Sequence, residues 1–151
     1  MKLYGIIGYP LAQSASPSFF NKKFEDEGID ARYIPFEIES TDELPRIIEQ
    51  HPNLCGFNVT IPHKLNVMQH LAGISDEAKA INAVNVVKVT RDNEGKAQLW
   101  GYNSDVIGFT RSIEPLLGTS HKKALVLGTG GASKAIVYAL LQLGIEVQQV
   151  S

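Results

Sequence analysis

The sequence predicts an α/β protein, with an open, mostly parallel twisted sheet flanked by helices in its first part and one further β-α-β unit at its end. Short apolar runs alternate with segments of helical character along the chain. The chain has 151 residues, of which 44% are hydrophobic and 20% charged, as in a globular protein with one good core. A polar stretch at residues 118–123, GTSHKK, separates the first part from the last unit.

In the first half, strands are predicted from apolar runs and helices from their start signals. In chain order the elements are a strand at residues 3–8, a helix at 16–28, a strand at 31–38, a helix at 40–50, a strand at 54–59 and a helix at 62–71. Ser16 followed by Pro17 is typical of the start of a helix. Ser40 and Glu43 have the spacing of a capping box.

In the second half, a hairpin interrupts this alternation. The elements are a short helix at residues 75–81, strands at 84–90 and 96–102 joined by the turn DNEG, a helix at 105–117, a strand at 124–128, a helix at 131–143 and a strand at 146–150. Asp105 is expected to cap its helix, which ends at Gly118.

The predicted organisation is one complete domain and part of another. Residues 1–103 form the complete domain, residues 104–120 a linking helix and loop, and residues 121–151 the opening of a second domain. A lone β-α-β unit leaves both edges of its sheet and one face of its helix uncovered. We therefore expect the chain to be a fragment of a longer protein.

Charge and composition argue against several classes of function. The net charge of −2 gives no electrostatic basis for binding nucleic acid or an anionic membrane. The N-terminus lacks a signal-peptide pattern, and no apolar run reaches transmembrane length. The single cysteine, Cys55, is expected to be a buried structural thiol, which fits a cytoplasmic protein. The histidines lack metal-ligand spacing, so no metal site is expected.

The segment VLGTGGASKA, at residues 126–135, has the context of a dinucleotide-binding fingerprint. Gly128 and Gly130 stand between an apolar strand and an apolar helix, where glycine allows a tight turn and close approach to a pyrophosphate. The first amides of the helix would then face the phosphates. Ser133 replaces the third glycine of the common pattern, and no acidic residue follows at the distance expected for a ribose contact. The alternative is a glycine-rich turn that binds no ligand.

Polar residues also cluster where the predicted strands end. Ser14 and Ser16 alternate in an extended segment, so both hydroxyls would face one side and could hold a carboxylate. Their spacing alone favours a simpler interpretation, in which Ser16 caps the helix and Ser14 is solvated. The other polar residues at strand ends are Asn58, Thr60, Asn85 and the run Asn103-Ser104-Asp105. Ligands of open α/β sheets bind beyond the carboxyl ends of the strands, and this set of side chains suits a polyhydroxylated acid.

Lys64, in the stretch NVTIPHK, is predicted to occupy an unfavourable position for a cation. Thr60 is expected to cap the helix at residues 62–71, so Lys64 would stand in the first turn, where the macrodipole is positive. A helix N-terminus and partial burial would both disfavour the charged ammonium and so ease proton exchange near neutrality. His63 is a rival acid, although a histidine in this turn is more often a surface or packing residue.

Five motifs occur together in the order typical of one family. They are SxS at residues 14–16, NVTIPHK at 58–64, NAVN at 82–85, GYNSD at 101–105 and GTGGASKA at 128–135. With these motifs the chain resembles shikimate dehydrogenase over essentially its whole length. The lysine motif combined with GxNxD is far more specific than the glycine loop.

The resemblance implies NADP-dependent reduction of 3-dehydroshikimate to shikimate, in the biosynthesis of aromatic amino acids. Under it, Ser14 and Ser16 hold the substrate carboxylate, and Lys64 and Asp105 form the catalytic pair. The further substrate contacts that it implies are Asn58, Thr60 and Asn85, beside Asp105 itself. The residues that it implies for NADP are Asp76 and, around the pyrophosphate, Gly128, Thr129, Gly130, Gly131 and Ala132.

Two alternatives stay open beside this interpretation. One is a quinate/shikimate dehydrogenase that uses NAD or NADP, and the other is a truncated, catalytically silent domain that binds shikimate. The family's loop for the 2′-phosphate of NADP would lie beyond Ser151, in the missing part of an incomplete Rossmann domain. An isolated chain of this length is therefore expected to turn over its substrate poorly or not at all. The protein is expected to be a monomer or a homodimer.

Overall fold

The elements of the fold are described from a computed structural model that covers all residues, Met1–Ser151. The strands are β1 (Lys2–Gly8), β2 (Ala31–Glu37), β3 (Leu54–Val59), β4 (Gly73–Ile74), β5 (Val86–Arg91), β6 (Ala97–Tyr102), β7 (Lys123–Leu127) and β8 (Glu146–Val150). The α-helices are α1 (Ser16–Asp26), α2 (Leu44–Gln50), α3 (Asp76–Ile81), α4 (Asp105–Ile113) and α5 (Gly131–Gln142). Short 3₁₀ helices lie at Thr41–Glu43, Asn66–His70 and Glu114–Leu116. None of the helices combines the length and the apolar character that crossing a membrane requires.

Six strands form one mixed sheet in the order β2-β1-β3-β5-β6-β4. Strand β1 pairs in parallel with both β2 and β3, and β4 pairs in parallel with β6. The β3–β5 and β5–β6 pairs are antiparallel, and β5 and β6 are the predicted hairpin. Strands β7 and β8 pair in parallel in a separate sheet. The predicted α/β class with a mainly parallel sheet is confirmed.

The six-stranded sheet is covered on both faces. Ile7 belongs to the main core of 15 buried side chains, which includes Leu44 of α2. Successive residues of a strand point to opposite faces. Ile6 accordingly faces the other side, where it packs with Leu11 and Tyr33 beneath α1.

The β7-α5-β8 unit packs against the rest of the chain through helix α5. Ala135 and Ala139 are completely buried, in a cluster with Ile81, Ala83 and Val106. Because both alanines are small, α5 approaches α3 and α4 closely. This packing brings the start of α5 to the end of the six-stranded sheet at which β3 ends.

The helix predicted at residues 62–71 is wrong. Only Asn66–His70 are helical, as a 3₁₀ helix, and the preceding residues form turns. Thr60 is therefore not a helix cap, and Lys64 does not stand at the N-terminus of an α-helix. The expectation that a helix macrodipole acts on Lys64 is wrong for the same reason.

The buried side chain of His63 explains this turn. The residue is 1% exposed, and its Nε2 lies 2.7 Å from the carbonyl oxygen of Ile38. The backbone N–H of His63 closes a tight turn by donating to the carbonyl of Thr60 at 2.9 Å. A side chain anchored in the core holds the backbone more firmly than local helix propensity does. His63 is thus a packing residue.

The start of α1 also differs from the prediction. The cap position is occupied by Ala15, and no side chain caps the helix. Ser16 is the first helical residue, and its backbone N–H donates weakly to the Oγ of Ser14 at 3.4 Å. The prediction that Ser16 caps this helix is therefore wrong, and its hydroxyl is available for another partner.

The predicted capping box at Ser40 forms only in part. The Oγ of Ser40 accepts the N–H of Asp42 at 3.1 Å and so begins a 3₁₀ helix. The carboxylate of Glu43 binds Arg46 at 2.8 Å instead of returning to the serine backbone. Helix α2 starts after this turn, at Leu44.

Two smaller differences concern the ends of elements. Helix α4 ends at Ile113 and continues as a 3₁₀ turn, because Pro115 lacks the N–H that an α-helix needs. Strand β4 has only two residues, too few to show a hydrophobic period, and the sequence did not predict it.

Candidate active site

An ion pair between Lys64 and Asp105 lies at the centre of the candidate site. The Nζ of Lys64 is 2.6 Å from the Oδ2 of Asp105. Lys64 comes from the turn after β3, and Asp105 is the first residue of α4. Their side chains are 16% and 34% exposed, so the pair is partly shielded from water and still accessible to a ligand. The expected capping role of Asp105 is not observed, since its carboxylate faces Lys64.

Asn85 holds the Asp105 carboxylate from the other side. Its Nδ2 donates to the Oδ1 of Asp105 at 2.8 Å, and its Oδ1 accepts the backbone N–H of Ser104 at 2.8 Å. Because the two ends of an amide differ, these two bonds orient the side chain of Asn85. Asn85 is buried directly before β5. Each carboxylate oxygen of Asp105 therefore has its own donor.

Asn103 supports the backbone of Asp105. The sequence placed it among the polar residues at strand ends but did not predict it as a site residue. It is buried, its Nδ2 donates to the carbonyl of Ala83 at 3.0 Å, and its Oδ1 accepts the N–H of Asp105 at 2.9 Å. The carbonyl of Lys64 accepts the N–H of Val84 at 2.8 Å. The segment before β5, residues 83–85, is therefore hydrogen-bonded directly to the backbone of Lys64 and, through Asn103, to the backbone of Asp105.

A second polar group forms around the hydroxyl of Tyr33, a residue that sequence reasoning missed. This hydroxyl donates to the Oδ1 of Asn58 at 2.8 Å. Burial raises the pKa of Tyr33 well above its ordinary value, and hydrogen bonding with Ser16 opposes that shift. Nothing in the strand pattern of β2 marks Tyr33 as functional. The predicted residues Ser16 and Asn58 therefore meet through an intermediate that only the structure shows.

The end of β3 joins the two polar groups. The N–H of Thr60 donates to the carbonyl of Ile7 at 3.0 Å, and the N–H of Val59 donates to the carbonyl of Asn85 at 2.8 Å. Asn58 and Lys64 thus lie on either side of one strand end, with the half-buried Thr60 between them. This is the end of an open α/β sheet at which ligands bind.

The glycine loop between β7 and α5 has the geometry of an anion-binding loop. Gly128 has a φ of +106°, a conformation that residues with a side chain rarely adopt. The N–H groups of residues 129–133 have no partner within the protein, and the first helical bond runs from Lys134 to Gly130. A side chain added at Gly130 would meet nothing within 4 Å, so the space before these amides is open.

Ser133 and Gln149 hold this loop from behind. The Oγ of Ser133 donates to the carbonyl of Gly130, and the Nε2 of Gln149 donates to the carbonyl of Gly128, each at 2.7 Å. The serine that replaces the third glycine of the common pattern therefore has a structural role. Gln149 lies where an acidic ribose contact would be expected, and it stabilises the loop instead.

The loop meets the ion pair at Gly131, which lies against the side chain of Lys64. Thr129 and Ala132 are exposed beside it. Asp76 is the first residue of α3, a helix that packs against α5. The predicted contact of Asp76 with a nicotinamide ring stays a prediction.

Other candidate features lie outside this site. A cavity of about 680 Å³ between α2 and the β5–β6 hairpin contains none of the site residues, so the site is defined by its polar side chains and not by cavity size. Cys55 is half-buried, where full burial was expected, because it lies on a strand face beside a shallow apolar cavity. Its Sγ lies 3.4 Å from the carbonyl oxygen of Asn53.

Comparison with known proteins gives consistent matches. Residues 6–87 match the family model of the shikimate dehydrogenase substrate binding domain. A shikimate dehydrogenase (NADP(+)) of Aquifex aeolicus is 43% identical over 149 residues, which cover 97% of this chain and 53% of the relative. One of Methanococcus maripaludis is 43% identical over 142 residues, which cover 92% of this chain and 49% of the relative. The chain thus spans about half the length of the curated relatives it matches.

Solved structures match over nearly the whole chain. The crystal structure of shikimate dehydrogenase from Aquifex aeolicus superposes with a TM-score of 0.84 at 42% identity, over 99% of this chain and 55% of that one. Shikimate 5-dehydrogenase from Thermus thermophilus, in complex with NADP(H) and shikimate, gives a TM-score of 0.81 at 33% identity, again over 99% of this chain and 55% of that one. The similarity therefore includes the glycine loop as well as the six-stranded sheet.

Proposed function

We propose that this chain, which belongs to the family of shikimate dehydrogenase substrate-binding domains, binds 3-dehydroshikimate and shikimate. In this proposal it also provides the acid–base pair that interconverts the two compounds. The observation that carries the proposal is the pair of Lys64 and Asp105, 2.6 Å apart and held by Asn85. The ion pair lies at the end of β3 beside the glycine loop, and this position supports a reaction between a polyhydroxylated acid and a dinucleotide. The relatives are shikimate dehydrogenases (NADP(+)), which agrees with this chemistry.

The proposed chemistry of the pair is proton transfer at the substrate oxygen. Reduction of a ketone places negative charge on its oxygen, and the ammonium of Lys64 would stabilise that charge and donate a proton to it. Asp105 orients the ammonium through its Oδ2, while Asn85 engages the other carboxylate oxygen. In the reverse direction, the neutral amine of Lys64 would accept the proton of the substrate hydroxyl.

The substrate carboxylate is assigned to Ser14 and Ser16. The Ser16 hydroxyl is not used as a helix cap and bonds with Tyr33, so it belongs to the same polar group as Asn58. Asn58, which bonds Tyr33, and Thr60, which follows β3 in the chain before Lys64, would contact ring hydroxyls. A carboxylate at one end and a reacting oxygen at the other would fix the orientation of a small ring.

NADP is the proposed cofactor, and the glycine loop fits its diphosphate. Gly128 makes the turn, and the unpaired N–H groups of residues 129–133 would donate to the phosphate oxygens. When bound, the cofactor supplies the hydride that reduces the ketone carbon. Asp76 is proposed to lie near the nicotinamide.

We also propose a domain organisation and a cellular location for the protein. Residues 1–103 would form the substrate-binding domain, residues 104–120 the link, and residues 121–151 the first part of a Rossmann domain. The single cysteine fits a reducing compartment, and we place the protein in the cytoplasm.

Calorimetric titration of shikimate into the chain, with and without NADP, tests the proposal. We expect saturable binding of one shikimate per chain, and a complete protein of the relatives' length should reduce 3-dehydroshikimate with NADPH. Binding without turnover in the complete protein would favour a catalytically silent binding domain. A chain that binds no shikimate would contradict the proposal.

A further inference from the structure

We infer that Tyr33 is a positioning residue for the substrate, which acts by holding the amide of Asn58 with its NH₂ group toward the ligand. The inference rests on the proposed function, because it concerns the same site. Tyr33 lies on the edge strand β2, outside every motif that identified the site. Its hydroxyl nevertheless donates to the Oδ1 of Asn58 at 2.8 Å.

The sheet geometry explains why a tyrosine is needed to make this contact. Strands β2 and β3 flank β1, so they lie roughly 10 Å apart at the usual strand spacing. On β1, Tyr33 pairs with Tyr4, whereas Asn58 pairs with Ile6. The ring of Tyr33 packs with Ile6 and so crosses β1 to reach the third strand. A phenylalanine would cross the same strand but would carry no hydroxyl to bind Asn58.

Helix α1 holds the tyrosine in place on the outer side of the sheet. The ring of Phe20 stacks on Tyr33 with centroids 4.7 Å apart and planes 17° from parallel. The side-chain amide of Asn21 bonds both backbone groups of Tyr33, each at 2.8 Å. Ser16, the proposed carboxylate ligand, stands at the start of this helix. Tyr33 therefore connects the strand that carries Asn58 to the helix that carries Ser16.

The hydrogen bond from Tyr33 determines which end of the Asn58 amide faces the site. A phenol carries its proton at neutral pH, and the hydroxyl of Tyr33 donates that proton to the Oδ1 of Asn58 at 2.8 Å. The Oδ1 of Asn58 is committed to that donor, whereas its Nδ2 has no partner within the protein. The free Nδ2 is a donor, which suits the hydroxyl or carboxylate oxygens of the substrate. Without the tyrosine hydroxyl, the amide could rotate and present its oxygen instead.

Tyr33→Phe tests this inference, with Tyr4→Phe as the matched control. Tyr4 packs against the same cluster, and its ring lies 5.8 Å from that of Phe24, but its hydroxyl makes no hydrogen bond within the protein. We expect Tyr33→Phe to raise the dissociation constant for shikimate about five- to tenfold, as for one lost hydrogen bond, and Tyr4→Phe to leave it unchanged. In the complete protein, the Michaelis constant should rise similarly while turnover at saturation stays within about twofold of wild type.

A double-mutant cycle with Asn58→Ala shows whether the tyrosine acts through Asn58. If it does, Tyr33→Phe should change shikimate affinity less than about twofold in the Asn58→Ala background. Equal effects in both backgrounds would show that Tyr33 acts through another contact, such as its bond with Ser16, or through the fold in general, and would overturn the inference. The NMR signals of the Asn58 NH₂ group provide a readout without ligand, and we expect them to shift in Tyr33→Phe but not in Tyr4→Phe.

The outcomes separate this inference from the proposed function. A wild-type chain that binds shikimate, together with a Tyr33→Phe variant of equal affinity and an unchanged Asn58 signal, overturns only the role of Tyr33. A wild-type chain that binds no shikimate overturns the proposed function, and the substrate role of Tyr33 with it.

Discussion

Gly131 lies directly against the side chain of Lys64. A methyl group placed on Gly131 would stand 3.2 Å from the Cδ and 3.3 Å from the Cβ of Lys64, closer than side chains normally pack. The contact joins the first residue of α5 to the turn after β3, which are 67 positions apart in the chain (131 − 64). The glycine loop and the ion pair with Asp105 are therefore parts of one structure.

This contact predicts that Gly131→Ala disturbs Lys64. The added methyl group would move the lysine by a few tenths of an ångström, and misplacing a reacting group is costly for catalysis. We expect turnover of the complete protein to fall about tenfold, with shikimate affinity within about twofold of wild type. Gly108→Ala on α4, where an added methyl group meets nothing within 4 Å, is the control. Unchanged turnover in Gly131→Ala would show that Lys64 adapts without loss.

Lys64→Ala tests the acid–base role directly. We expect turnover of the complete protein to fall at least about a hundredfold with little change in the Michaelis constant, because the proton donor is lost. Lys22→Ala, which removes an exposed ion pair with Asp26, is a control that should behave as wild type. Near-normal turnover in Lys64→Ala would remove this lysine from the mechanism.

Removing the hydroxyl of either serine near the start of α1, Ser14 or Ser16, is expected to weaken substrate binding. Ser14→Ala and Ser16→Ala should each weaken shikimate binding by about 1.5–3 kcal/mol, as expected for a hydrogen bond to a charged group. Ser18→Ala is the matched control, since its hydroxyl bonds only the carbonyl of Ala15 on the exposed side of the helix. Calorimetry measures all three. A loss of NADP affinity without a loss of shikimate affinity would contradict the assignment of the carboxylate.

The packing of α5 predicts how the chain responds to protease. Ala135 is completely buried against α3 and α4, so Ala135→Asp would place an unpaired charge in that contact and release the β7-α5-β8 unit. Limited proteolysis should then cut the variant faster than wild type, with a first product that ends near residues 118–122. Leu141→Asp, at a position 55% exposed on the same helix, is the control. Equal cleavage rates for Ala135→Asp and wild type would show that this packing does not protect the unit.

Local pattern was sufficient for much of the secondary structure. Apart from β4, the strands of the sheet, the hairpin and the β-α-β unit appear close to their predicted bounds, because alternating or continuous apolar runs report directly on strand burial. The positive φ of Gly128 likewise follows from a glycine at a tight turn. Helix starts were less predictable. Serine next to proline is a typical start signal, yet Ser16 makes no capping bond in the fold.

The motif order in the sequence identified Lys64 and Asp105 as partners, but the helical position predicted for the lysine is wrong. No helix dipole acts on it, because the buried ring of His63 holds the chain in a turn. That contact joins residues 25 positions apart, and the ion pair joins residues 41 positions apart. Tyr33 reaches Asn58 across an intervening strand in the same way. Periodicity and capping describe neighbours in the chain, so they predict the elements, whereas contacts between distant residues arise only when the sheet assembles.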